Sequence, residues 1–161
     1  MMVDGSMLFT REEGWKEIKV GRIFAQKDCV QVQENRNEIV KSQYVCHLGG
    51  HQEFLKKFEC YVDDYKKKVC IADGAKWIWN WAEDTYPDMI QILDYYHAVE
   101  KLSGYATEQI PDTEQRAQWL GKQKELLLDN KAATVLKAIG QQQGRTELAE
   151  KQRKAVISYY E

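Results

Sequence analysis

Two aspartates occupy positions at which a carboxylate can do chemistry. Asp4 lies inside the first apolar segment, and Asp73 comes directly after the apolar run Val69–Ala72. A carboxylate on a strand is costly to bury without a partner or a metal, and open α/β sheets place their sites at the carboxyl ends of strands. If the two strands are neighbours, both carboxylates can bind Mg²⁺ or Mn²⁺, because these ions prefer oxygen ligands. Such ions can hold the reacting oxygens of a phosphodiester.

A simpler interpretation of the same two aspartates competes with the metal site. Asp4 and Asp73 each precede a glycine. Asp-Gly is a common turn dipeptide, because aspartate bonds to nearby backbone and glycine accepts unusual backbone angles. Each aspartate would then do no more than open a turn.

Asp94 and His97 form a second polar pair, just past the apolar run at residues 89–93. One turn of helix would bring them to the same side. They are either a polar element near the site that orients a phosphate or a base, or an N-cap aspartate beside a histidine with satisfied hydrogen bonds.

Two other groups of residues favour structural roles. Cys46, His47 and His51 cluster in sequence, but a zinc site needs about four ligands and no fourth is evident. The alternating tryptophans of residues 77–81 can stack on bases, although aromatic side chains more often fill a core. The spacing of the four cysteines indicates reduced, structural thiols, which are usually buried.

The elements that must position these residues change from strands to helices along the chain. Segments 1–9, 15–25 and about 39–48 predict three hairpin-linked strands, with Gly5 marking a close backbone approach or a bulge. The second strand alternates, with Ile18 and Val20 on one face and Glu17 and Lys19 on the other, as in a half-buried strand.

After Gly49 and Gly50 the apolar period becomes helical, and two βα units follow. The predicted elements are helix 54–65, strand 69–72, helix 75–84, strand 89–93 and helix 95–105, with only helices beyond Pro111. Three antiparallel strands followed by βαβα units predict the α/β class, with a mixed sheet, helices on its faces, and a final all-helical segment.

Composition limits the partners and the compartment. The 161 residues are enough for a domain with a core. A net charge of −2 provides no global basic field for nucleic acid. No apolar run approaches the roughly 20 residues of a membrane span, and the N-terminus lacks the pattern of a secretory signal. We expect a cytoplasmic protein without a membrane partner.

Three ordered blocks give the chain a family resemblance. It resembles the catalytic core of the DDE transposases of bacterial insertion sequences, especially the Kra-type group, and more distantly the mutator-like transposases. The matching residues are 3–7, Arg11, 14–24, 71–80, 86–87 and 92–98.

The resemblance implies an RNase H-like fold, with residues 1–106 as a partial catalytic core and residues 107–161 as the start of a helical insertion. Asp4 and Asp73 match the first two acids of the metal-binding triad, and Asp94 and His97 match an accessory element beside the site. The implied cofactor is Mg²⁺ or Mn²⁺. The implied partners are the DNA of transposon ends and target, with a homo-oligomer left open.

The chain departs from the family at both ends. We expect the chain to lack the family's N-terminal DNA-binding region. The third acid, a glutamate, is not identifiable, and Glu161 carries no surrounding motif and is not assigned. We therefore expect a truncated core that is inactive alone. The alternatives are a non-enzymatic remnant that binds DNA or intact transposase, and another RNase H-like nuclease.

Overall fold

The computed structural model describes residues 1–34 and 36–160. Its strands are β1 (Met2–Thr10), β2 (Gly14–Ile23), β3 (Cys29–Gln33), β4 (Arg36–Ile39), β5 (Gln43–Leu48), β6 (Val69–Ala72) and β7 (Ile90–Leu93). Its α-helices are α1 (His51–Val62), α2 (Lys76–Thr85), α3 (Tyr95–Gln109), α4 (Thr113–Leu128), α5 (Ala132–Gly140) and α6 (Glu147–Tyr160). The chain forms two compact units, Met1–Leu93 and Asp94–Glu161.

The first unit is built on a five-stranded mixed sheet in the order β5-β2-β1-β6-β7. Strand β2 is antiparallel to both β1 and β5, whereas β6 is parallel to both β1 and β7. The two parallel connections each pass through a helix, α1 or α2, because parallel strands need a crossover. The predicted α/β class with a mixed sheet is confirmed.

The core of this unit lies on one face of the sheet, where α1 and α2 both pack. The expectation of helices on more than one face is therefore wrong for this unit. Side chains alternate along a strand, so every second residue of the strands meets the helices. The buried residues that share this core are Val3, Ile23, Val45, Phe54, Phe58, Val62, Cys70, Ala72, Ile78, Trp81, Ala82 and Met89.

The buried face of β2 is the opposite of the one its sequence suggests. Lys19 is only 3% exposed, whereas Ile18 and Val20 lie partly exposed on the other face. Register explains the inversion, because Val3 and Val45 pair with Gly21 and face α1. Since alternate residues share a face, Lys19 lies on the same buried face of β2 as Gly21.

Strand β6 is buried on one face only and β7 has no buried residue, although their continuous apolar runs predict buried strands. Cys70 and Ala72 are buried, but Val69 is exposed, and Ile90 and Ile92 are 61% and 44% exposed. The apolar run thus indicates a strand correctly and its burial incorrectly.

Strands β3 and β4 form a separate two-stranded sheet that the sequence did not predict. Strand β3 does alternate, with Val30 and Val32 separated by Gln31, but the run is short, and β4 is polar up to Ile39. Arg22 on β2 links this ribbon to the larger sheet, because its guanidinium donates to Ser42 Oγ at 3.1 Å and to the Ile39 carbonyl at 3.4 Å.

The second unit is helical, with α3 to α6 around a core of Leu102, Tyr105, Val135, Ile139 and Val156. Helix α3 belongs to this unit because Leu102 and Tyr105 lie in its core, so the unit begins before the residue-107 boundary expected from sequence. In the described ranges, no helix is both long and apolar enough to cross a membrane.

Candidate functional site

The register of β1 and β6 brings the two candidate aspartates to equivalent positions. Met2 pairs with Ile71 and Val3 pairs with Ala72 in this parallel ladder. Asp4 and Asp73 are the next residues on the two chains. Neighbouring strands lie about 4.8 Å apart, and Val3 and Ala72 are buried on the helix-covered face. By this alternation Asp4, which is inside β1, faces the opposite side, whereas Asp73 directly follows the last residue of β6.

Asp4 does not open a turn, because β1 continues through it and stays paired with β2 as far as Thr10. Its side chain is exposed, so the cost of burying a carboxylate does not apply to it. The carboxylate Oδ1 accepts a hydrogen bond from the Gly5 amide at 2.7 Å. The turn interpretation is therefore wrong for Asp4.

Asp73 does have a turn role. It lies between β6 and α2, and its Oδ1 accepts a hydrogen bond from the Ala75 amide at 3.1 Å. The side chain is partly buried. This hydrogen bond and that of Asp4 each use Oδ1, while a carboxylate offers two oxygens with about four lone-pair sites. Both side chains thus keep capacity for a cation.

The donor set formed by Asp4 and Asp73 suits Mg²⁺ in one of its common binding modes. This ion is usually held by one or two carboxylates together with waters and substrate phosphates. Within residues 1–34 and 36–160, no group of three or more His, Cys, Asp and Glu side chains could hold a metal ion. A third protein ligand is thus not found there, and Glu161 lies outside the described residues.

Asp94 and His97 lie in the second unit, at the start of α3. Asp94 caps this helix, since its Oδ1 accepts from the amides of Tyr96 at 2.7 Å and His97 at 3.1 Å. One helical turn does bring the two side chains together, with His97 Nδ1 3.6 Å from Asp94 Oδ1. The N-cap role is confirmed, but the satisfied histidine is not, because His97 Nδ1 is buried without a hydrogen-bond partner among the described residues. A role beside Asp4 and Asp73 stays a prediction.

Lys19 is the residue of this region that sequence reasoning missed. It forms an ion pair with Glu17, and its Nζ lies 5.0 Å from the ring centroid of Trp77. The lysine chain passes over Gly5, where an added Cβ would lie 3.5 Å from Lys19 Nζ and 2.9 Å from Glu17 Oε1. The atoms near Gly5 are the ends of side chains and the pairing of β1 with β2 runs through it without a register shift, so neither the close backbone approach nor the bulge expected there is seen.

The residues considered for zinc do not converge. Cys46 and His47 are consecutive on β5 and therefore face opposite sides of the sheet. His47 Nδ1 lies 3.4 Å from Lys57 Nζ, and His51 stacks on Trp77 with ring centroids 5.3 Å apart.

The tryptophans of α2 pack in the first unit, as the core interpretation predicts. Trp81 is buried, and its indole N–H donates to Glu59 Oε1 at 2.8 Å. Trp77 and Trp79 are partly buried against the same core.

The sheet face that carries Asp4 has several exposed apolar side chains, Met2, Leu8, Tyr44, Leu48 and Ile92. The cationic side chains of Lys16 and Arg22 on β2 share this face. No protein-family model, no curated protein and no solved structure gives a significant match to this chain.

Proposed function

We propose that the chain is the catalytic core of a DDE-type transposase, lacking an identified third acid, and that Asp4 and Asp73 bind Mg²⁺ or Mn²⁺ beside a DNA phosphate. The observation that carries the proposal is the parallel register of β1 and β6, in which the two aspartates follow the pair Val3–Ala72. Two carboxylates that follow paired residues of adjacent parallel strands can serve as a ligand pair for a hard divalent ion.

The order and direction of the strands support the RNase H-like fold that the proposal includes. Three antiparallel strands are followed by two parallel ones in the order β5-β2-β1-β6-β7. This arrangement agrees with the RNase H-like fold that the sequence resemblance implies. The first acid then lies on the central strand β1 and the second at the carboxyl end of its parallel neighbour β6, where open sheets place their sites.

A divalent ion bound at this pair would stabilise negative charge on a phosphodiester. The residues of the chain supply the negative charge that holds such an ion, and the amides of Gly5 and Ala75 orient the two carboxylates. The chain has a net charge of −2, so DNA gains little from long-range attraction. We therefore expect DNA binding that depends on the metal.

In this proposal the chain binds metal and DNA but does not cut DNA on its own. No third carboxylate joins the pair in the described ranges, and a metal site with an incomplete ligand set loses most of its rate advantage. Asp94 and His97 keep the accessory role implied by the resemblance. We also propose that the chain is located in the cytoplasm and forms a homo-oligomer.

Fluorescence anisotropy of a labelled DNA duplex tests the proposal. We expect the wild-type chain to bind more tightly in Mg²⁺ than in EDTA, and Asp4→Asn or Asp73→Asn to remove the difference. Asp88→Asn, a change at an exposed acid in the turn before β7, serves as the control and should keep it. Equal binding in Mg²⁺ and EDTA, unchanged by Asp4→Asn, would contradict the proposal.

A second candidate is a non-enzymatic remnant that binds DNA or an intact transposase. The local roles of Asp73 as a turn residue and Asp94 as an N-cap favour it, because they explain both residues without a metal. Metal-independent binding in the same assay would support it. Cleavage of an RNA–DNA hybrid would instead indicate another RNase H-like nuclease.

A further inference from the structure

We propose that Lys19 is a positioning residue for the Asp4–Asp73 pair, a role that rests on the proposed metal site. Lys19 lies on the helix-covered face of the sheet, the opposite side from Asp4. Its cation connects β2, the strand paired with the one that carries Asp4, to the helix that follows Asp73.

The path of the lysine side chain is the first part of the evidence. Lys19 lies on β2 and pairs with Gly5 of the adjacent strand β1. The lysine chain lies over Gly5, where an added Cβ would be 3.7 Å from Lys19 Cδ and 3.5 Å from its Nζ. Its Nζ then reaches the ring of Trp77 in the first turn of α2. One side chain thus links β2, β1 and α2.

Both ends of this link lie next to an amide that orients a carboxylate. Gly5, under the lysine chain, donates its N–H to Asp4 Oδ1. Trp77 is two residues beyond Ala75, which donates its N–H to Asp73 Oδ1. A shift of β1 relative to the start of α2 would therefore move the two carboxylates apart or together, and the Lys19–Trp77 contact opposes that shift.

The indole is held on other sides as well. His51 stacks on Trp77, and Phe54 meets it edge to face with centroids 6.0 Å apart. With the ring fixed by α1, the lysine cation has a rigid partner. A cation over a tryptophan face is attracted more strongly when both are removed from water, and Lys19 is 3% exposed.

The chemistry of lysine suits this role better than that of an apolar residue. Its stem lies in the core while its ammonium pairs with Glu17, whose side chain is 49% exposed. A buried cation without a partner is costly, so Glu17 stabilises the arrangement. Lys19→Met keeps much of the stem and removes the cation, whereas Lys19→Arg keeps a cation that can stack on the indole.

Mn²⁺ titration of the full chain tests the inference, together with the amide signals of Gly5 and Ala75 in ¹H–¹⁵N spectra. Lys19→Met should weaken Mn²⁺ binding about 10- to 100-fold, the range typical of residues that orient metal ligands. Lys19→Arg should recover most of the affinity, which a general loss of stability would not predict. Lys16→Met is the matched control, because Lys16 lies on the same strand and pairs with Glu13 instead.

Each outcome decides the inference. A folded Lys19→Met chain that binds Mn²⁺ like the wild type overturns it. If Lys19→Met does not fold, Trp77→Phe provides the same test, because phenylalanine presents a weaker π face; unchanged Mn²⁺ affinity in that variant overturns the inference.

Failure of the metal site itself is distinguishable. A wild-type chain that binds no Mn²⁺ contradicts the proposed function. The amide signals of Gly5 and Ala75 then report on the carboxylates directly. Their displacement in Lys19→Met and return in Lys19→Arg would support positioning, and unmoved signals would overturn it.

Discussion

The ring of Phe58 on α1 lies directly against the backbone of Gly21 on β2. A Cβ at Gly21 would lie 2.2 Å from Phe58 Cε2 and 2.6 Å from Cδ2. Gly21 pairs with Val3 of β1 and with Val45 of β5. This contact therefore sets how closely α1 approaches the centre of the sheet.

Gly21→Ala should destabilise the first unit by about 1–3 kcal/mol, because overpacking forces the ring or the helix to move. Denaturant unfolding followed by tryptophan fluorescence measures the change. Gly121→Ala is the control, since Gly121 is exposed within α4 and a Cβ there meets nothing within 4 Å. Gly121→Ala should raise the free energy of unfolding by about 0.5–1 kcal/mol. If Gly21→Ala leaves the free energy of unfolding unchanged, the contact between Gly21 and Phe58 is not tight.

Thiol reactivity should separate one cysteine from the other three. Cys29, Cys46 and Cys60 are exposed, and Cys70 is buried on β6. Burial raises the pKa of the Cys70 thiol to about 11, and the thiolate is the reactive form. At pH 8 a thiol reagent such as DTNB should therefore label three cysteines quickly and Cys70 only after unfolding. Rapid labelling of four thiols in the folded chain would contradict this placement.

The ion pair between Glu150 and Arg153 on α6 should make the second unit sensitive to acid. Arg153 donates to both Glu150 oxygens, at 2.7 and 2.8 Å, and the Gly144 amide donates at 2.9 Å. The hydrogen bonds from Arg153, and then that from Gly144, lower the pKa of Glu150 from 4.5 to about 2. Because the folded pKa is the lower one, the stabilisation is present above pH 4.5 and is lost as pH falls towards 2.

Thermal unfolding of Glu150→Gln against the wild type measures this effect. The variant should melt at a lower temperature at pH 7, and the two curves should converge as pH approaches 2. Glu147→Gln is the control for the charge near the start of α6. The two melting temperatures could instead differ by the same amount from pH 7 to pH 2. That result would rule out the ion pair as the cause of the difference.

The order of elements and the position of the candidate acids were predictable because both depend on local patterns. The change from alternating to helical apolar periods marks the strands and helices. The structure makes β1 and β6 parallel neighbours, the case considered from the sequence, and so places Asp4 and Asp73 directly after a pair of opposed residues. After Pro111 the sequence offers Asp112 or Thr113 as an N-cap, and Asp112 takes that role on α4.

The features that were missed depend on contacts between distant residues. Alternation assigns Ile18 and Lys19 to opposite faces of β2 but does not say which face a helix covers. Gly5 and Trp77, far away in sequence, make the interior position of Lys19 favourable. The expectation that the cysteines are buried is correct for Cys70 alone. The residue type by itself does not determine whether a cysteine lies in the core.

Calorimetric titration with Mn²⁺ tests most directly the claim that Asp4 and Asp73 form a metal site. Asp4 is exposed, so Asp4→Asn should change the free energy of unfolding by less than about 0.5 kcal/mol. Asparagine can also accept the turn hydrogen bond at position 73. We predict that the wild type and Asp88→Asn bind Mn²⁺, whereas Asp4→Asn and Asp73→Asn, both folded, bind it much more weakly. Equal Mn²⁺ binding by all four chains, or none by the wild type, would contradict the claim.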